Sequence, residues 1–278
     1  MKNPVWLYWE SFNNQVEPAY ITLCRWTMLH NWSDANLIFL NPQNIDSYIP
    51  GITQHVSDIQ VDVKGRLDLA VRKLKPNPIN LAVKCDVIRA NLLNTYGGFY
   101  IDISSVALKP INQYFELLND QKSFFISQRQ SHNKSHYPVG FYGCSKDSLI
   151  IKQYTKHINN LVSKKNNFHY NELGASALEP IVNQYLNQTT VLNENEFMPV
   201  TFEDANRVYL RTDLELEELI ATNTTIFKLL STPFKTSFSK LSIQDLYMSS
   251  TLVGKIFRHS LPQKVFDHYN NRWEQQNE

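Results

Sequence analysis

The sequence predicts an α/β fold with a largely parallel central sheet flanked by helices. Short apolar or aromatic runs of strand length alternate with longer stretches of helical spacing. No internal repeat or low-complexity linker interrupts that alternation. The 278 residues, 42% hydrophobic and 19% charged, suffice for one large core and exclude intrinsic disorder. The expected organisation is a single domain over residues 1–278, with halves at 1–126 and 127–240 and a helical extension at 241–278.

Each element has a local reason. Val5–Tyr8 is an apolar and aromatic run, predicted as a buried strand. Ala19, Leu23, Trp26 and Leu29 repeat at helical spacing within Glu17–Asn31. Leu37–Leu40 is a second strand, followed by Asn-Pro and a short helix near Asn44–Tyr48. Residues 51–78 have little period, with a helix expected near Leu67–Leu74. Asn80 can cap a helix over Leu81–Tyr96, which Gly97-Gly98 stops. Phe99–Ile101 reads as a strand ending at Asp102, and Val106–Leu108 continues it after a break. A helix near Ile111–Leu118 and a strand at Phe124–Ile126 follow. Ser127–Pro138 is polar and reads as a loop. Val139–Cys144 is a strand, and helices are expected from Asp147 to Val162 and from Ala175 to Leu186. Phe197–Val200, Arg207–Leu210 and Thr225–Leu229 read as short strands, and residues after Ser242 as helix.

Composition narrows the function. Lys plus Arg number 27 and Asp plus Glu 26, a net charge of +1 that argues against coating nucleic acid. Aromatic content of 12% suits flat or sugar-like ligands and equally suits core packing. Cys24, Cys85 and Cys144 are too few and too scattered for a disulfide framework or zinc knuckle, so a reduced, cytoplasmic setting is expected. The apolar run ending at Glu10 is too short for a signal-peptide core, and no run reaches the ~18 apolar residues of a membrane span. Asn31, Asn187 and Asn223 head glycosylation-type triplets, read as accidental in that setting.

The common catalytic signatures are missing: no G-x-G-x-x-G, no phosphate loop, no H-E-x-x-H and no G-x-S-x-G. His132 and His136 have metal spacing but lie in a polar stretch beside Pro138, where solvated histidines are the plainer reading. The segment Leu81–Pro110 carries more. Asp86 and Arg89 are three apart and share a helical face. Gly97-Gly98 permits a tight reversal, and the next strand delivers Asp102 to its C-terminal end, where ligands bind in open α/β sheets. Asp102 and Ser104 put two oxygen side chains on one side of an extended chain, as a hard cation carrying a diphosphate wants. An ordinary helix, turn and strand with a surface Asp–Arg pair fits the same spacing.

Those residues resemble a known family. Cys85-Asp86-Val87-Ile88-Arg89, Tyr96-Gly97-Gly98 and Asp102-Ile103-Ser104 fall in the order of the D-x-D glycosyltransferases related to capsular polysaccharide synthesis proteins. Val5–Glu10 is similar to the opening strand of the capsule proteins, and Ile226–Leu229 to a late lysine-leucine motif. The resemblance implies a GT-A fold, with residues 1–126 as the nucleotide-sugar half and 127–240 as the acceptor side. It implies a nucleotide-diphosphate sugar donor, usually a UDP-sugar, and transfer with retention. The acceptor would be a capsular or surface polysaccharide or a lipid-linked saccharide.

On this resemblance Trp6 and Tyr8 lie at the uracil and ribose, with core packing the competing role for Trp6. Asp86 and Arg89 contact donor sugar and phosphate, since a guanidinium fork suits phosphate oxygens. Asp102 holds the ribose or a divalent metal, Mn²⁺ or Mg²⁺. Ser104 stands where many relatives have the second metal-binding aspartate, so weak metal binding is expected. Lys228 would join Arg89 in stabilising the leaving diphosphate. Glu172 and Asp204 are candidates for a group near the sugar's other face, and each equally fits a solvated acid or helix start. Phe141 and Tyr142 would line the sugar pocket, and Ser127–Pro138 the acceptor side. Lys255, Arg258, His259, Lys264 and Arg272 stand among Ile256, Phe257, Leu261, Val265 and Phe266. Such a helix can contact an anionic membrane surface peripherally, or pack into the fold. Alternatives of other classes are a sugar-phosphate transferase releasing UMP, a non-catalytic nucleotide-sugar-binding module, and a plain interaction protein.

Overall fold

The computed structural model describes residues 4–11, 16–61, 77–118, 122–131, 134–230, 234 and 237–277. The helix expected near Leu67–Leu74 lies outside them, as does His132. The chain divides into two compact units. The first comprises residues 1–13, 36–101 and 114–192, and the second residues 14–35, 102–113 and 193–278.

The first unit is built on a sheet. In chain order its strands are β1 (Pro4–Tyr8), β2 (Asn36–Leu40), β3 (Gln60–Val61), β4 (Gly98–Ile101) and, in the second unit, β5 (Ser105–Ala107). Then come β6 (Phe124–Ser131), β7 (Lys134–His136), β8 (Phe141–Cys144), β9 (Asn167–Phe168) and β10 (Thr189–Asn193). The sheet runs β10-β6-β8-β4-β1-β2, with β7 paired to β6. Val5 to Tyr8 are buried because β1 is central, parallel to both β2 and β4.

The sheet is mixed rather than mostly parallel: β8 pairs antiparallel with β4 and with β6. No helical crossover separates β6 from β8, so the chain returns as a meander. The stretch read as a polar loop, Ser127–Pro138, is mainly a hairpin of β6 and β7, with Arg129 opposite His136. Its polar composition did not preclude strand pairing, and Ser127 and Tyr137 within it are buried.

The Asn77–Tyr96 helix starts earlier than Leu81, so Asn80 lies inside it rather than capping it. Val83, Val87, Ile88, Ala90, Leu92 and Leu93 are all buried. The helix is covered nearly all round over this stretch, which also takes Asp86 and Arg89 out of water. At its end the Gly97 N–H donates to the Leu93 carbonyl at 2.8 Å. Gly97 and Gly98 have φ of 68° and 89°, the left-handed region that favours glycine. A Cβ on Gly98 would lie 2.3 Å from the Pro4 carbonyl oxygen.

The second unit pairs β5 antiparallel with β11 (Ile226–Lys228). The Ala19–Asn31 helix packs beside β5: the Ala107 N–H donates to Thr27 Oγ1 at 3.0 Å, and Asn31 Nδ2 donates to the Ala107 carbonyl at 2.9 Å. Helices Ile243–Met248, Leu252–Ser260 and Gln263–Asn277 close the unit. Trp26 meets Phe266, Tyr269 and Trp273 at ring-centroid distances of 6.0, 5.7 and 6.5 Å. Two strands expected here are not strands. Phe197–Val200 is irregular, and Arg207–Leu210 overlaps the Phe202–Val208 helix. Glu203 and Asp204 favour the first turn of that helix, and Arg207 pairs with Asp204 at 2.8 Å one turn on.

Gly98→Ala adds both φ strain and a backbone clash, whereas Gly51→Ala (φ 79°, nothing within 4 Å) adds only the strain. A left-handed non-glycine residue costs about 1–2 kcal/mol, so Gly51→Ala should lower the melting temperature by about 2–8 °C. Gly98→Ala should lower it by clearly more, as read by thermal denaturation of the two variants side by side. Equal losses would show that the approach of Pro4 is not limiting.

Candidate nucleotide-sugar site

In the first unit the expected base-stacking residues are structural. Trp6 is buried, and its indole N–H donates to the Gly97 carbonyl at 2.9 Å. Its ring rests against Tyr96 and Tyr48, at 5.2 and 5.6 Å. Trp6 therefore fastens the glycine reversal to β1. Tyr8 is also buried, and its hydroxyl donates to Glu10 at 3.2 Å. Burial, then the Glu10 charge, pushes its phenol well up. Phe141 and Tyr142, expected to line a pocket, are fully buried core residues of β8.

Asp86 and Arg89 do meet, at 3.2 Å, with side chains only 7% and 5% exposed. The guanidinium also donates through Nε to the Cys85 carbonyl at 3.1 Å and through Nη1 to the Val139 carbonyl. It lies over the Tyr100 ring, 4.7 Å from the centroid. Arg89 thus ties the Asn77–Tyr96 helix to the segment entering β8 and to β4. Gly174, which no motif marks for this place, belongs here: a Cβ on it would stand 2.7 Å from Asp86 Oδ2. Glu172, two residues earlier, is held by Lys165 at 2.5 Å and by the His169 N–H at 3.0 Å. Partial burial raises its carboxyl, but these two donors outweigh that and hold it below the usual range. Its oxygens brace their own turn. Asp204 likewise accepts from Thr201 and Arg207 at a helix start.

The second unit assembles a different cluster. Asp102 is the residue after β4, and Ser104 precedes β5. Antiparallel register places Lys228 of β11 opposite Ser105. Its ammonium donates to Asp102 Oδ2 at 2.8 Å and to Ser104 Oγ at 2.7 Å. Side-chain exposure is 12% for Lys228 and 28% for Asp102. Lys228, expected from Ile226-Phe227-Lys228-Leu229 to face the leaving diphosphate, is brought onto the D-x-S segment by strand register.

The fold family implies a divalent metal at this place. Among the described residues no group of three His, Cys, Asp or Glu side chains comes together. Among the described residues the D-x-S segment offers one carboxylate and one hydroxyl, and a cation is bonded to both. Two unit charges 4 Å apart interact by about 4 kcal/mol at an effective dielectric of 20, and a divalent ion doubles that repulsion. As they stand, these residues fit an ammonium and do not fit a divalent ion.

In the C-terminal segment Ile256, Phe257, Leu261 and Phe266 are buried. Lys255 and Arg258 donate to carbonyls of their own unit. Of the two roles expected for this segment, these apolar side chains take the packed one. No helix among the described residues is long and apolar enough to cross a membrane.

Asp86→Ala would leave the Arg89 guanidinium buried without its carboxylate. Breaking a buried pair costs about 3–5 kcal/mol, so the melting temperature should fall by about 6–20 °C. A loss under about 2 °C in calorimetry would show that water reaches the pair.

The profile of the family described as "Capsular polysaccharide synthesis protein" matches residues 1–271. No curated protein sequence matches the chain. Among solved structures it is similar to the glycosyltransferase GlyE of Streptococcus pneumoniae TIGR4, with 13% identity over 99% of this chain and a TM-score of 0.52. The chain spans 64% of the length of GlyE. It is also similar to the PaToxG glycosyltransferase, at 17% identity over 66% of this chain and 69% of that one, with a TM-score of 0.44. The galactosyltransferase LgtC matches at 10% identity over 94% and 98%, with a TM-score of 0.42. The GlyE likeness is one of fold: a central sheet flanked by helices in the GT-A manner. With the family profile running from residue 1 to 271, the chain belongs to the capsular polysaccharide synthesis protein family and has the GT-A glycosyltransferase fold.

Proposed function

We propose that this chain is a glycosyltransferase that moves a sugar from a nucleotide-diphosphate donor, a UDP-sugar in the first instance, to a capsular or other surface saccharide. The reading is carried by the Asp102–Ser104–Lys228 cluster directly after the Tyr96-Gly97-Gly98 strand, in a chain of this family. The acceptor is an oligosaccharide or a lipid-linked saccharide. Any membrane contact would use exposed His259, Lys264 and Arg272, since the apolar neighbours are buried.

The chemistry follows from the charge that moves. The bond between the anomeric carbon and the diphosphate oxygen breaks, and its electron pair leaves with the nucleoside diphosphate. The acceptor hydroxyl bonds to the anomeric carbon. For retention, attack comes from the leaving-group side, and the acceptor proton passes to a departing phosphate oxygen. Positive charge grows on the ring and negative charge on the leaving group, so a fixed cation beside the phosphate lowers the barrier. Asp102 orients that cation and is positioned to accept from a donor hydroxyl. Asp86 and Arg89 are positioning residues, holding the helix, β4 and the Val139 segment together. Glu172 takes no step, because both its oxygens are engaged.

UDP or GDP at about 100 times its dissociation constant should stabilise the protein by roughly 2.7 kcal/mol, seen as a rise of about 5–11 °C in thermal denaturation. Incubation with UDP-sugar and saccharide should release UDP. Release of UMP would turn the reading to a sugar-phosphate transferase, and stabilisation with no turnover to a binding module. Asp102→Ala should abolish transfer while the melting temperature stays within a few degrees, because the Lys228–Asp102 pair is partly solvated. Full activity in that variant would remove Asp102 from the site.

A further inference from the structure

We propose that the Lys228 ammonium takes the place a divalent cation would hold, so that this chain binds the donor diphosphate without a metal. The inference rests on the nucleotide-sugar reading above and goes beyond it by assigning the cation.

The backbone of Lys228 is held by main-chain bonds. Lys228 pairs with Ser105 across β11 and β5. Its N–H donates to the Phe197 carbonyl at 3.0 Å, and its own carbonyl accepts from the Tyr209 hydroxyl at 3.1 Å. On the next residue, the Leu229 N–H donates to the Ser104 carbonyl at 2.8 Å. The lysine and the D-x-S segment are thus held in one register by main-chain bonds.

The side chain then reaches both Asp102 Oδ2 and Ser104 Oγ. These are the two oxygens whose spacing predicts a metal ligand pair. An ammonium carries three donors. Two are used on Asp102 and Ser104, and the third can serve a phosphate oxygen. The serine fits this arrangement: a second aspartate would leave two carboxylates for one ammonium and a net negative charge facing the diphosphate. With serine the cluster is neutral before the ligand arrives. Side-chain exposure of 12% for Lys228 and 28% for Asp102 keeps the cluster from being sealed off from solvent.

Equilibrium binding of UDP and GDP to the full chain, followed by thermal shift and calorimetry in EDTA and in Mn²⁺, tests the assignment. The expected result is equal affinity in the two buffers. Lys228→Met should weaken nucleotide binding at least tenfold in EDTA. The double variant Lys228→Met with Ser104→Asp should bind nucleotide only when Mn²⁺ is added, since it restores a paired-carboxylate site. The wild-type comparison needs no variant to fold. Binding by the wild type that requires Mn²⁺ would overturn the lysine assignment and leave the donor reading standing. So would full affinity of Lys228→Met in EDTA. No binding of either nucleotide in either buffer would overturn the donor reading and this inference with it.

Discussion

The reversal at Tyr96-Gly97-Gly98 has to fit where no side chain can. Gly98 passes so close to the Pro4 carbonyl that a methyl group would overlap it, and a Cβ on Gly97 would stand 2.7 Å from the Lys146 amide nitrogen. Both glycines also need positive φ. That close approach lets β4 lie beside β1, and it fixes where the helix stops and the strand begins. Trp6 then locks the turn by donating to Gly97. The helix carrying Asp86 and Arg89 and the strand leading to Asp102 therefore have their offset set by two missing side chains and one indole.

The buried Asp86–Arg89 pair is a consequence of that placement. A helix pressed against the sheet on one side and the Leu149–Val162 helix on the other has little wet face left. Burying either charge alone would cost several kcal/mol. Each is accommodated because the other is present, and because the guanidinium also meets the Cys85 and Val139 carbonyls and the Tyr100 ring. Such a pair adds little net stability over an apolar replacement of equal volume. What it adds is a tie between the helix and the segment entering β8, through the guanidinium bond to the Val139 carbonyl.

The sequence was legible where period and punctuation agree. The apolar runs of β1, β2, β4 and β8, the central helix and the double glycine all stand close to where spacing predicts them. It misled where composition stood in for pairing. The polar run at Ser127 forms half of a hairpin whose backbone is satisfied by its own partner strand. Arg207–Leu210 has strand-like residues but sits behind two acids that favour a helix start. The aromatic residues Trp6, Phe141 and Tyr142 fit ligand contact or core packing by type alone, and all three fill the core, the commoner fate of large rings. For the candidate site, Asp86 with Arg89 and Asp102 with Ser104 were legible as neighbours along the chain. The contacts of Gly174 and Val139 with that pair were not, because each arrives from a remote segment, and Lys228 was legible as a candidate cation but its bonds to Asp102 and Ser104 depend on strand register.

A lysine on a strand and a bound metal solve the same electrostatic problem at different cost. A metal brings two charges but must be captured, and it needs several oxygens to replace its water. A strand lysine brings one charge that is already placed, and its reorganisation was met when the chain folded. With one charge, the donor diphosphate is less fully neutralised than a metal with two carboxylates would make it. A neutral Lys–Asp–Ser cluster also repels an incoming diphosphate less than an unoccupied pair of aspartates does. The serine that looks like a defect in a metal site is therefore the substitution that a resident ammonium favours.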